Sequence, residues 1–128
     1  MKGKGELVLV VDEVQAIRND IRTTLESNGF RFIGLGKCEE AWAEINAKKI
    51  QPQVLITDLD TESKMGGMEL IKQARSKFPE MPIVLISGDD CPDGCSDKSF
   101  AFFKKPLHSP SIDRILDFVI ASLEAKIG

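Results

Sequence analysis

No stretch of this 128-residue chain approaches the roughly 20 consecutive apolar residues that a membrane-spanning helix requires. The opening Met1-Lys2-Gly3-Lys4-Gly5-Glu6 is charged and lacks the apolar core of a signal peptide, so the expected location is the cytoplasm and no membrane contact is predicted. Basic charge is not in excess: the formal net charge of -3 offers no clustered positive face for a phosphate backbone, which argues against direct nucleic-acid binding. Cysteine is sparse and odd in number, with Cys38, Cys91 and Cys95 only, and a disulfide framework is a poor reading of a chain without secretory features. Cys91 and Cys95 do not have the usual Cys-x-x-Cys spacing, and no second ligand pair accompanies them as a metal or redox site would need. The single histidine, His108, stands just before a helix start and reads as a surface residue rather than a base or phosphodonor. Internal repeats and low-complexity tracts are also missing, which leaves no solenoid or linker reading for the bulk of the chain.

The length suits one domain, taken as residues 1–128 with a core of roughly residues 6 to 126. Short apolar, β-branched runs alternate along it with segments of helical period. Leu7 to Val11 is a uniformly apolar first strand; Val14, Ile17, Ile21 and Leu25 then recur along one helix face, and Asn28-Gly29 ends that helix. Phe30 to Gly36 reads as a second strand and Glu39 to Ala47 as a second amphipathic helix. Val54 to Thr57, Ile83 to Ile86 and Phe100 to Phe103 read as strands three to five, with Gly67 to Lys77 a helix between the third and fourth. The closing helix has Ser109 as its N-cap and Pro110 at its first position, with Ile112, Ile115, Leu116, Val119 and Leu123 on one side. Gly88 to Lys98 is rich in turn formers, so a helix between strands four and five should be short or missing. Strands that are apolar on both sides, alternating with helices, predict an α/β fold with a parallel sheet covered on both faces. Right-handed crossovers then bring the carboxyl ends of all strands to one edge, where ligands of open α/β sheets bind.

The polar residues just after the strands are the chemical signal. Asp12 and Glu13 follow the first strand, Asp58 the third, Ser87 the fourth and Lys105-Pro106 the fifth. Acids after strands can simply cap the next helix, but three carboxylates gathered at one edge repel one another and call for a cation. Mg²⁺ suits such a site, since it prefers oxygen ligands, takes one or two carboxylates and completes its shell with waters and phosphate oxygens. A remaining carboxylate can act as a nucleophile toward phosphorus. A lysine and a hydroxyl can neutralise and orient the phosphoryl oxygens.

The ordered set Asp12-Glu13, Asp58, Ser87 and Lys105-Pro106 resembles the receiver domain of two-component response regulators. The resemblance implies a flavodoxin-like, doubly wound five-stranded sheet in the order 2-1-3-4-5, and a Mg²⁺-dependent phosphoacceptor switch rather than a turnover enzyme. By the same resemblance Asp58 is the phosphoacceptor. Asp12, Glu13 and Asp58, with the backbone carbonyl of Asp60, hold Mg²⁺; Ser87 donates to the phosphoryl group and Lys105 pairs with it through a cis Lys105-Pro106 arrangement. Phe102 matches the aromatic switch position that responds to Ser87, and Asp89 has a tuning role. A histidine kinase or histidine phosphotransfer protein is the implied donor.

The chain departs from the family pattern after Asp58. Leu59 to Met65 is one residue longer than usual and lacks the customary proline, and Gly66 stands where an aspartate is common. A receiver that has become only a protein-binding module is therefore one alternative. Another is a haloacid-dehalogenase-like phosphatase, whose nucleophile motif Asp58-Leu59-Asp60-Thr61 resembles; its acidic metal pair, however, should follow the lysine, and here it comes first. A flavodoxin-like flavin binder shares the topology but would need a Ser/Thr/Gly-rich loop after the first strand. Nearly every residue belongs to the receiver core, which leaves a stand-alone regulator or a piece of a hybrid sensor kinase, with the Gly-Lys-Gly-Glu lead-in expected as a linker. Homodimerisation stays open, because Phe118 and Ile120 fit either a core or a contact surface.

Overall fold

The computed structural model describes residues 3–59, 65–90 and 100–127. Its strands are β1 (Leu7–Val11), β2 (Arg31–Leu35), β3 (Val54–Asp58), β4 (Ile83–Ser87) and β5 (Phe100–Lys104). Helices α1 (Gln15–Ser27), α2 (Cys38–Asn46) and α3 (Gly67–Lys77) connect the first four strands, and α4 (Ser109–Ile127) follows the fifth. Neighbouring strands all pair in parallel, in the order β2-β1-β3-β4-β5. The expected doubly wound sheet is therefore the one observed.

Two-residue alternation divides the core. Val8, Val10, Val54, Ile56, Val84 and Ile86 pack on one face with residues of α1 and α4 such as Ile21, Leu25, Ile115 and Val119. Leu9, Val11, Leu55, Ile83 and Leu85 pack on the other with Ala41 and Ile45 of α2 and Leu70 and Ala74 of α3. Every residue of β1, β3 and β4 is buried, as strands covered on both faces must be. The outer strands β2 and β5 are only half-buried along most of their length, because each has one edge without a neighbouring strand. Burial of each large side chain in these clusters contributes about 1.5–3 kcal/mol, so the three inner strands form a rigid support for whatever their ends carry.

Three expectations need correction or qualification. First, the N-cap of α4 is His108 rather than Ser109: the His108 carbonyl accepts from the N–H groups of Ser111 and Ile112 at 2.9 and 3.0 Å. Pro110 then falls within the first turn, where a missing N–H costs no intrahelical bond. Second, the lead-in expected as a linker is held. Gly3 N–H donates to the Asn28 carbonyl at 2.6 Å and Gly5 N–H to the Gly29 carbonyl at 2.8 Å, across a contact in which a Cβ on Gly3 would come within 2.7 Å of the Gly29 carbonyl carbon. Third, among the described residues no helix lies between β4 and β5, while the stretch 91–99, where the short or missing helix was expected, lies outside them. Phe118 and Ile120 are half-buried against the α1/α4 core. Among the described residues no helix is long and apolar enough to cross a membrane.

Candidate phosphoryl site at the carboxyl edge of the sheet

The alternation that sorts the core continues past the strand ends and decides which polar groups meet. Asp12, Asp58 and Lys105 follow Val10, Ile56 and Phe103 by one full period, all three of which pack on the α1/α4 face. Ser87 follows Leu85, which packs on the opposite face together with Phe102. Two acids and an amine therefore converge on one side of the edge, and an alcohol and an aromatic ring lie on the other. Parallel pairing sets their heights: Asp58 is opposite Ile86, Leu85 opposite Phe102 and Ser87 opposite Lys104.

The convergence is direct. Lys105 Nζ lies 2.9 Å from Asp12 Oδ2 and 3.3 Å from Asp58 Oδ2. Asp12 and Ser87 are wholly buried and Asp58 nearly so, while a fifth of the Lys105 side chain remains open to solvent, with 20% relative exposure. Burial opposes the charge on Lys105, and the carboxylates of Asp12 and Asp58 outweigh it, holding the ammonium above its ordinary lysine value. The Lys105-Pro106 bond is cis, as expected from the resemblance, and Lys105 N–H donates to the Ser87 carbonyl at 2.7 Å, tying the fifth strand's end to the fourth.

Asp12 serves two purposes. Its Oδ1 accepts from Val14 N–H at 2.9 Å and shapes the turn into α1, so the helix-entry role and the site role coexist in one carboxylate. Its Oδ2 is buried, and its close charged partner among the described residues is Lys105 Nζ at 2.9 Å. A buried carboxylate oxygen with lone-pair capacity left over, sharing an ammonium with a second carboxylate, can take a further positive charge. These hard oxygen donors fit Mg²⁺, which needs no more than one or two carboxylates from the protein. Among the described residues, no group of three or more His, Cys, Asp or Glu side chains could hold a metal ion, and Glu13 is exposed.

Ser87 Oγ accepts from Asp89 N–H at 3.0 Å, and the Asp89 side chain is exposed. Phe102 is half-buried against the α2/α3 core. Asp60 lies outside the described residues, as do Cys91 and Cys95. Cys38 is buried at the start of α2, with Sγ 3.6 Å from Thr57 Oγ1, and His108 is exposed at the start of α4.

Two contributors were not visible in the motif. Arg18, one turn into α1, reaches back along the helix and donates from Nη1 to the Asp12 carbonyl; the lean of helical side chains toward the N-terminus was the available signal. Gly67, the first residue of α3, lies against the Asp58 backbone. A Cβ there would come within 2.3 Å of the Asp58 carbonyl oxygen and 2.8 Å of Leu59 Cα, and its N–H donates to the Leu59 carbonyl at 3.0 Å. Gly67→Ala is therefore expected to lower stability by about 1–3 kcal/mol, the usual range for overpacking against atoms that cannot yield. Urea unfolding measures it, and an unchanged midpoint would contradict this close approach.

The chain is similar in sequence and fold to known proteins. A model of the response regulator receiver domain matches residues 8–116. The C4-dicarboxylate transport transcriptional regulatory protein DctD of Pseudomonas aeruginosa is 28% identical over 93% of this chain and 25% of its own length. The nitrogen assimilation regulatory protein NtrX of Azorhizobium caulinodans is 26% identical over 93% of this chain and 27% of its own. The chain thus spans about a quarter of the length of these curated relatives. Among solved structures, the chemotaxis response regulator CheY4 of Vibrio cholerae superposes with a TM-score of 0.73 at 25% identity, covering 90% of this chain and 98% of that one. A CheY-like receiver domain protein from Methanospirillum hungatei reaches 0.79 at 19% identity, covering 95% and 98%. With the family model matched over residues 8–116, an acid pair after β1, Asp58 at the end of β3 and a cis-bonded lysine after β5, this chain belongs to the response regulator receiver domain family.

Proposed function

We propose that the chain is a single receiver domain, residues 1–128, that accepts a phosphoryl group on Asp58 and acts in the cytoplasm as a signalling switch. The observation that carries this reading is Lys105 Nζ set between Asp12 Oδ2 and Asp58 Oδ2, at 2.9 and 3.3 Å. The donor is the phosphohistidine of a histidine kinase or of a histidine phosphotransfer protein. An Asp58 carboxylate oxygen attacks phosphorus as the phosphorus–nitrogen bond breaks; the electron pair leaves with the imidazole, and an acyl phosphate stands on Asp58. Asp12, Glu13, Asp58 and the Asp60 carbonyl would hold Mg²⁺, which when bound neutralises charge on the phosphoryl oxygens.

The chain's own groups complete the chemistry. Lys105, already charged and poised between the acids, exchanges a carboxylate partner for a phosphoryl oxygen. Ser87 turns its hydroxyl from the Asp89 amide toward the phosphoryl group, and the space it leaves on the α2/α3 side of the sheet admits Phe102 inward. That pair has two packings, so phosphorylation biases an existing equilibrium and changes the surface offered to partners. Asp89, carried on the Ser87 turn, tunes the lifetime of the acyl phosphate.

Incubation with a small-molecule phosphodonor and Mg²⁺, followed by intact-mass measurement, tests the proposal. One phosphoryl group per chain is expected, with no sustained turnover of a generic phosphate ester. Continued ester hydrolysis without a stable mass gain would support a phosphatase instead.

A further inference from the structure

Arg18 is a cation that touches this acidic turn and that the proposed chemistry leaves unused. Its half-buried side chain crosses the end of β2, where a Cβ on Gly34 would come within 3.2 Å of Arg18 Cδ and a Cβ on Gly36 within 3.7 Å of Nη1. The contact of its Nη1 is with the Asp12 backbone carbonyl. Among the described residues Arg18 forms no ion pair; the charge on the guanidinium is not cancelled by a carboxylate of its own, and Asp12 is the acidic residue whose backbone it touches.

Two roles are compatible with that contact and predict different outcomes. A clamp would hold the Asp12 turn in shape. Yet the turn is already fixed three times over, by Asp12 N–H donating to the Leu35 carbonyl at 3.0 Å, by Val14 N–H on Oδ1 at 2.9 Å and by Lys105 at 2.9 Å from Oδ2. Removing one further contact from the backbone carbonyl leaves these in place. Charge, by contrast, is in short supply of only one sign here: Asp12, Asp58 and the exposed Glu13 outnumber Lys105, and Arg18 makes this cluster less negative. In a site sheltered from water a neighbouring unit charge acts on every ion that enters.

We infer that Arg18 is a tuning residue that sets the charge balance of the acidic site, weakening its hold on a divalent cation while strengthening its hold on an anionic phosphoryl group. The effect on the cation side keeps the metal exchangeable, and the effect on the anion side favours the phosphorylated form. This inference rests on the proposed Mg²⁺ and phosphoryl reading of Asp12 and Asp58.

The test compares the native chain with Arg18→Gln, which keeps a hydrogen-bond donor and removes the charge, and with Arg18→Lys, which keeps the charge and loses the planar fork. Calorimetry measures Mg²⁺ affinity, and a second titration at saturating Mg²⁺ measures affinity for the phosphoryl mimic beryllium trifluoride. Arg18→Gln should bind Mg²⁺ about three- to tenfold more tightly at low salt and the mimic more weakly by a similar factor, both differences shrinking as salt is added. Arg18→Lys should stay within about twofold of the native chain in both titrations. Weakening of both ligands in Arg18→Gln and Arg18→Lys alike would identify a clamp and overturn the inference. Asp12→Asn separates this failure from failure of the underlying reading: a native chain that binds Mg²⁺ no better than Asp12→Asn would overturn both. Thermal melting of each variant confirms that folded protein is being compared, and Arg18→Lys alone still decides between fork and charge if Arg18→Gln does not fold.

Discussion

Asp58→Asn should take up no phosphoryl group from a small-molecule donor in Mg²⁺, while the native chain takes up one. The carboxamide nitrogen is not a nucleophile at neutral pH, and its remaining oxygen has lost the negative charge that attacks phosphorus and that helps bind a cation. The variant should still fold, because the β3 backbone, Thr57 and the Gly67 contact are unchanged and Lys105 keeps Asp12 at 2.9 Å as its partner. Intact mass reports the uptake and circular dichroism the fold. Uptake at native stoichiometry in the folded variant would place the acceptor elsewhere.

Lys105→Met should lower stability on the same scale as Gly67→Ala. It removes the ammonium that two almost fully buried carboxylates share. Breaking a buried pair from one side costs about 3–5 kcal/mol; because Lys105 is partly open to solvent, about 1–3 kcal/mol is expected here. Mg²⁺ should restore much of this, since the added cation supplies the missing charge, and uptake of phosphate should slow about 100-fold through loss of one charged donor. The pH dependence has a fixed sign. Lys105 is held above its ordinary value in the folded chain, so its contribution is fully present below about pH 10.5, the unperturbed lysine value. The contribution fades as pH rises through the higher folded value. Urea unfolding in a chelator should therefore show a stability gap between the native chain and Lys105→Met that is constant near neutrality and closes in strong alkali. A gap that widens with pH would contradict the ion-pair geometry.

Much of this architecture could be read from the residues because the physics is local and repetitive. Val8 to Val11, Val54 to Ile56 and Ile83 to Ile86 are buried on both faces, and only central parallel strands demand such runs. The strands and their parallel pairing followed from such runs, the order of the sheet was implied by the resemblance to receiver domains, and the polar residue after each strand marked the edge. The same two-residue period also separates Asp12, Asp58 and Lys105 from Ser87 and Phe102, a division present in the sequence and visible once the core faces are known. Other features depend on tertiary approach. Gly67 resembles an ordinary loop glycine until α3 is seen to begin against the Asp58 carbonyl. Arg18 resembles a solvated helix residue until its guanidinium meets the Asp12 turn. His108 caps α4 through its backbone carbonyl, which no side-chain preference announces, and Gly3 shows its role only beside Gly29.

A spectroscopic titration of the native chain with beryllium trifluoride, with and without Mg²⁺, tests most directly whether these strand ends form one working pocket. With Mg²⁺ present, the amide resonances of Asp12, Asp58, Ser87, Asp89 and Lys105 should shift together with a single midpoint, and Phe102 should move with them. Without Mg²⁺ they should stay in place. Shifts at Asp58 alone, or movement of Ser87 and Lys105 at unrelated midpoints, would contradict a shared phosphoryl site.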